Sequence, residues 1–339
     1  MSAAGVARSY DVMSLPAHLK SRLRLPLITA PMFLVSGPAL VKAACRHGVI
    51  GAFPTANCRT VDELDSWLAD MNDDRRRAAD ETGRAPAPIC PNLIVHRSNP
   101  RLAEDLASVL RAKAEIVITS VGSPEPVMKP LKEAGCLVLA DVASVRHAEK
   151  AVAAGVDGLV LLTAGAGGQT GWVNPFAFVR AVRAFWDGIV VMAGGMSDGR
   201  AVAAAETLGC DLAYMGTKFI ATRESLAKDA YKAMLVSSRL DDVLLTRAFT
   251  GLETNMLRPS IAAAGLDPDD LPARGAIDIA KDINAAERDR PEARRWKDIW
   301  SAGHSVSGIA DIPSVGELVE RTAREYAAAM PLATGLQCR

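Results

Sequence analysis

The sequence predicts a (β/α)8 TIM barrel with an additional C-terminal helical lobe, and three observations predict it. Eight short apolar runs, bounded by glycine, proline or polar residues, recur between residues 25 and 217. Their apolarity is near-continuous rather than alternating, as in parallel strands buried on both faces. Helix-like stretches separate most of them, while the open doubly wound sheet lacks its signature. No G-x-G-x-x-G follows the first run, where "APMFLVSGPAL" stands instead.

The eight predicted strands are "LPLITAP" (25–31), "GVIGAFP" (48–54), "PICPNLIV" (88–95), "EIVITSV" (115–121), "GCLVLAD" (135–141), "DGLVLLT" (157–163), "GIVVMAGG" (188–195) and "DLAYMGT" (211–217). The helices between them carry their own punctuation. Asn174-Pro175 supplies an N-cap and a first-turn proline, and Phe178, Val179, Val182, Phe185 and Trp186 then share one face. The helix from near Asp198 stops at Gly209, and "SVRHAEKAVAAG" stops at Gly155. "DDRRRAADETGR" reads as a solvated helix end and loop. Residues 1–223 are thus assigned to the barrel. Residues 224–311, rich in Ala, Asp, Arg and Pro, read as a helical cap lobe without clear buried strands. Residues 312–339 read as a helix returning to the barrel: Ser314 and Glu317 are spaced as a capping box, and Val315, Leu318, Val319, Thr322 and Tyr326 form its apolar face.

Composition narrows the function. The 339 residues are 49% hydrophobic and 23% charged, enough to bury an enzyme-sized core. Lys plus Arg equals Asp plus Glu at 39 each, which argues against a general nucleic-acid binder. No apolar run reaches the ~18 residues of a membrane span. The first residues lack the apolar centre of a secretory signal, so a cytoplasmic location is expected. The six cysteines contain no C-x-x-C pair and read as reduced packing residues. The five histidines are not in ligand spacing, and no metal is expected.

In a barrel the strand C-termini face the active site, and the loops after strands seven and eight often hold a phosphate. Here those loops are Ala193-Gly194-Gly195-Met196 and Tyr214-Met215-Gly216-Thr217. Their glycines let backbone N–H groups approach an anion closely. After strand six, Gly165, Gly167, Gly168 and Gly171 leave main chain bare enough for a flat ring to lie against it. Asn92, at strand three, offers an amide to the edge of a heterocycle or to a neighbouring strand. Phosphate plus flat heterocycle points to a mononucleotide such as FMN, without separating it from a phosphosugar or pyridoxal phosphate. No lysine stands plainly at a strand end to form a Schiff base, which weighs against the last.

At these residues the sequence resembles the nitronate monooxygenase family, formerly 2-nitropropane dioxygenases, which are FMN-dependent TIM-barrel enzymes. The resemblance runs through "LPLITAPM", "PNLIV" and "VASVRHAEKAVAAGVDGLVLLTAGAGGQTG". It is most specific in "VVMAGGMSDGRAVAAAETLGCDLAYMGTKFIATRES". It implies FMN contacts from the Ala30–Pro31–Met32 turn, Asn92, Gly167, Gly195 and the stretch Tyr214, Met215, Gly216 and Thr217, with Gly195, Gly216 and Thr217 around the phosphate.

One position departs from the family. Members that oxidise nitroalkanes or nitronates carry A-G-G-H-x-G, whose histidine is the proposed base. This chain reads Ala166-Gly167-Gly168-Gln169-Thr170-Gly171. Glutamine exchanges hydrogen bonds but takes up no proton near neutral pH. Loss of a positioned base costs on the order of 10²–10⁴ in rate where a proton must be abstracted. An alkyl nitronate is already anionic and needs no abstraction. Gln169 is therefore expected to orient substrate. Asp141, at the end of strand five, is the second catalytic candidate, as a base or as a cap of the next helix. His304 reaches the site or is solvated, and Trp172 walls the pocket or packs the following helix. The expected activity is oxidation of a small substrate such as an alkyl nitronate, with O2 reoxidising the flavin. The alternatives are an NAD(P)H-dependent quinone or activated-alkene reductase and a non-catalytic flavin-binding protein. The number of subunits is left open, a homo-oligomer included.

Overall fold

The computed structural model describes residues 15–271 and 298–334. The N-terminal segment, Cys338 and the part of the predicted lobe between 272 and 297 lie outside the described residues. All eight predicted strands are present: β1 (Leu27–Thr29), β2 (Ile50–Pro54), β3 (Ile89–Ile94), β4 (Ile116–Ser120), β5 (Leu137–Val142), β6 (Gly158–Leu162), then β8 (Ile189–Ala193) and β9 (Leu212–Met215). A two-residue strand, β7 (Gly168–Gln169), intervenes within the glycine loop. The eight are parallel and close in the order β1-β2-β3-β4-β5-β6-β8-β9, with β9 returning to β1 through Ile28 opposite Tyr214.

The two-residue period of a strand divides each one between two cores. Ile28, Ile50, Ile118, Leu139, Val160 and Val191 fill the barrel interior, joined by Leu15 and Leu19 from the chain just before β1. Their neighbours Leu27, Val117, Val138, Leu159 and Val190 face the surrounding helices. The cores account for the cysteines as well. The five described ones are buried and outside any disulfide, and burial raises the thiols of Cys45, Cys90, Cys136 and Cys210, so none of these four is an activated nucleophile.

The predicted helix punctuation holds in most places. Asn174 Oδ1 accepts from Phe176 N and Ala177 N at the start of a helix over Pro175–Arg183, which buries Phe178, Val179 and Val182. Phe185 falls beyond its end and is 42% exposed, so the predicted apolar face is shorter than expected. Asp198 caps the helix over Gly199–Thr207, and Gly209 follows it at φ +101°. The last helix, Val315–Thr334, opens on the predicted capping box: Glu317 N donates to Ser314 Oγ (3.1 Å) and Ser314 N to Glu317 Oε2 (2.7 Å). It buries Val315, Leu318, Val319 and Thr322, at roughly 1.5–3 kcal/mol for each aliphatic side chain.

This final helix meets the 199–207 helix at Gly199. A Cβ there would stand 2.1 Å from Thr322 O and 2.2 Å from Tyr326 N, both main chain and unable to swing aside. Gly199→Ala is accordingly expected to lower stability by about 2–3 kcal/mol through overpacking, read as an earlier urea midpoint at unchanged slope. A preserved midpoint would mean that the two helices approach less closely.

The segment after residue 223 holds helices over Asp229–Ser237 and Arg258–Ala263, together with two strands not anticipated from the sequence. They are β10 (Val243–Thr246) and β11 (Thr254–Leu257). With β7 they form a second, antiparallel sheet in the order β10-β11-β7, pairing Gln169 with Thr254 and Gly168 with Asn255. The glycine loop is therefore one edge of a sheet. Among the described residues no helix is long and apolar enough to cross a membrane.

Candidate active site

A cavity of about 350 Å³ opens at the C-terminal ends of the barrel strands, walled on its other side by residues 226–231, 250–252 and 299–305. Strand register decides which side chains form its floor. Ser120, Asp141, Leu162 and Tyr214 are the last inward-facing positions of β4, β5, β6 and β9, and they line it together with Asn92 and Ile94 of β3. Ala30, Pro31, Met32, Gly167, Gly168, Gln169, Gly194, Gly195, Gly216 and Thr217 line it too. Of the predicted site residues only Met215 does not: one step past Tyr214, it points outward into the layer between barrel and helices. Its carbonyl is occupied as well, accepting from Ala30 N at 3.0 Å.

The turns after β8 and β9 leave open space and backbone donors at the cavity. Gly195 lies at φ +70°, and a Cβ placed on it would meet nothing within 4 Å, so the space beside it is open. The backbone N–H groups of Gly195, Gly216 and Thr217 have no acceptor among the described residues. Unpaired donors flanking open space at a helix start are the usual preparation for phosphate oxygens. Gly194 differs from its neighbour. At φ +117°, its absent Cβ leaves room for Thr163 Oγ1, 2.4 Å away, so it serves the packing of the turn.

The glycines after β6 call for a correction. Three of the four have another part of the chain, main chain or the His304 ring, where a Cβ would stand. A Cβ on Gly167 would stand 2.6 Å from Gly303 N, and one on Gly165 2.6 Å from His304 Nδ1; one on Gly171 would strike Leu162 O at 2.4 Å. The segment Ala302–His304 crosses the loop, with His304 N donating to Gly165 O (2.9 Å) and Gly303 N to Thr217 Oγ1 (2.9 Å). Asn255 Nδ2 adds a bond to Ala166 O (2.7 Å). Gly168 alone, at φ +67° with Ser301 Oγ 3.9 Å from its virtual Cβ, keeps open space beside it. His304 is exposed and does not line the cavity. Trp172, 73% exposed, neither walls the cavity nor packs a helix.

Gln169 is held by the β11 ladder and lines the cavity. Asp141 does not cap the next helix; Ser144 does, accepting from His147 N. Instead Asp141 Oδ2 accepts from Ser120 Oγ (2.5 Å), which accepts from Asn92 Nδ2 (2.6 Å). Asn92 Nδ2 also reaches Ile118 O (3.3 Å), so its donors are committed to the neighbouring strand and not to a ligand edge. Asp141 Oδ1 is buried without any partner. Burial, opposed only by the Ser120 hydrogen bond, raises this carboxyl to about 7. Among the described residues no cluster of His, Cys, Asp and Glu could hold a metal.

A closed parallel barrel with a partly apolar cavity at the C-terminal ends of its strands defines a (β/α)8 barrel whose mouth is shaped as an enzyme's. Comparison with known proteins refines the class. The nitronate monooxygenase family matches residues 17–325. The chain is 29% identical to a nitronate monooxygenase of Paraburkholderia phytofirmans, over 88% of this chain and 92% of that one. It is 26% identical to (3aS,4S,5R,7aS)-5-hydroxy-7a-methyl-1-oxo-octahydro-1H-indene-4-carboxyl-CoA dehydrogenase of Rhodococcus jostii, over 84% and 76%. The solved nitroalkane oxidase of Streptomyces ansochromogenes superposes with a TM-score of 0.73 at 26% identity, covering 94% of this chain and 100% of its own. The chain belongs to the nitronate monooxygenase family and is an oxidoreductase.

Proposed function

We propose that this oxidoreductase binds FMN at the barrel mouth and oxidises a small activated substrate, an alkyl nitronate in the first instance, with O2 as the final electron acceptor. The observation that carries the reading is the pair of turns with unpaired N–H groups around the open space at Gly195. Gly195, Gly216 and Thr217 would hold the phosphate, and the floor formed by Asn92, Ser120, Asp141 and Tyr214 would lie under the ring. When bound, the flavin supplies the electron acceptor that no protein side chain provides. Gln169, fixed through its backbone to β11, orients substrate by hydrogen bonding and leaves proton removal undone. That suits a substrate which arrives as the anion.

A second reading, a reductase drawing on NAD(P)H and acting on a quinone or activated alkene, is favoured by the apolar outer wall. Tyr231 and Trp300 stack there at 5.0 Å and 13°, beside Leu226, Leu252 and Ile299. The octahydro-indene-carboxyl-CoA dehydrogenase of Rhodococcus jostii among the relatives supports chemistry on such larger substrates. Anaerobic mixing with NADH, NADPH and propionate 3-nitronate, each alone, separates the two. Bleaching or a semiquinone signal with nitronate supports the oxidase reading, and bleaching by a nicotinamide alone supports the reductase. Gln169→His is expected to raise turnover of neutral nitroalkanes by about 10²-fold or more, the contribution of a positioned base. Unchanged turnover would show that the space around Gln169 no longer accepts the family's chemistry.

A further inference from the structure

We propose that Asp141 binds the edge of the flavin ring, with Oδ2 fixed by Ser120 and the buried, unpartnered Oδ1 left to hydrogen-bond the heterocycle and to exchange a proton with solvent as it does so. The inference rests on the FMN reading above but concerns a group which that reading leaves unassigned. Three observations carry it.

First, Asp141 is a floor residue. It belongs to β5 and shares the last interior level of the barrel with Ser120 and Tyr214, whereas Gln169 and the Tyr231–Trp300 pair stand on elements outside the barrel strands. A ring spanning the mouth from the β8 and β9 turns meets the floor with one face and edge, while substrate approaches from the outer wall. Asp141 is thus placed to serve the cofactor and not to act as the substrate's base.

Second, the carboxyl is anchored on one side only. The chain Asn92 Nδ2 to Ser120 Oγ to Asp141 Oδ2 fixes its orientation. A buried oxygen with no partner is costly, and native proteins retain one where a ligand completes it.

Third, nothing nearby fixes its charge. The titratable groups facing it are Cys90 on β3 and Tyr214 on β9, both raised by burial and therefore neutral at pH 7. No lysine, arginine or histidine contributes to its acidity. A neutral carboxyl donates to a ring carbonyl; once its proton passes to solvent, the carboxylate accepts from the ring imide N–H instead. The two states present opposite polarity to the ring. A flavin held this way would report the protonation of Asp141 in its visible spectrum.

The test is a pH titration of the FMN-loaded protein from 5 to 9, followed by flavin absorbance. The wild type is expected to show a one-proton spectral transition within this range, above the ordinary carboxylate region because the group is buried. Asp141→Asn should abolish the transition, or, if the folded variant no longer retains flavin, show directly that the carboxyl grips the ring. Ser120→Ala should move the transition to higher pH, because it removes the hydrogen bond that favours the carboxylate. Bound flavin with a spectrum flat across the range overturns the inference, as does a transition that persists unchanged in Asp141→Asn. A wild-type protein that takes up no FMN at all sinks the functional reading and this inference with it, an outcome distinct from either of those.

Discussion

Replacing Gly195 with alanine is expected to yield a folded protein that has lost its flavin. The position lies at φ +70°, where a Cβ strains the backbone by roughly 1–2 kcal/mol. The methyl itself meets no protein atom within 4 Å, so no clash adds to that cost. It does occupy the space flanked by the unpaired N–H groups of Gly195, Gly216 and Thr217. An affinity loss of about 10²-fold corresponds to roughly 2.7 kcal/mol, which the displaced hydrogen bonds and the shift in backbone together supply. Fluorescence titration with FMN and a thermal melt of the same preparation read the two effects separately. Gly194→Ala is the contrasting control: its Cβ would press on Thr163 Oγ1 at 2.4 Å and Ala166 N at 3.1 Å, so it should melt early before binding is at issue. Undiminished FMN affinity in Gly195→Ala would remove the phosphate from this turn.

Asp141→Asn is expected to stabilise the ligand-free protein at pH 8 and to do little at pH 4. The sign follows from linkage. The carboxyl titrates at 3.8 when solvated and at about 7 in the folded protein. Between those values the native state holds a proton that the unfolded state has released, so stability falls as pH rises through the interval. Above pH 7 both states are ionised and the penalty levels off at about 4 kcal/mol. Asparagine keeps the shape and the bond from Ser120 without the charge, and so escapes this penalty. The gain in melting temperature should therefore grow between pH 4 and pH 7 and remain constant above, reaching several degrees. A gain independent of pH would show that Asp141 is not held neutral by burial.

Most of the barrel was legible because its signals are local. Eight apolar runs became eight strands, and Asn174, Asp198, Ser314 and Glu317 cap as their spacing implies. The floor of the cavity was legible in part: Asp141 and Tyr214 stand at the predicted strand ends and face inward, but Met215, expected in the site, is turned outward by the strand register. What escaped detection depends on partners distant in sequence. Strand β11 is four fully buried residues, too short for periodicity, and it lies between β10 and the distant Gly168 and Gln169. The same holds for Gly165 and Gly167, whose bareness is explained by Ala302–His304 and not by anything near them in the chain. Asn92 was identified as a site amide, yet its role as donor to Ser120 needs the β3–β4 register.

The crossing of the glycine loop by residues 302–304 bears on how the protein matures. All eight barrel strands are complete by residue 215, but the mouth acquires its last wall only when a stretch nearly ninety residues further on arrives to bond Gly165 and Thr217. A nascent chain could close its cylinder on the ribosome while remaining unable to retain a ligand there. On the flavin reading proposed above, a chain terminated before residue 302 is expected to bind FMN more weakly than the full chain.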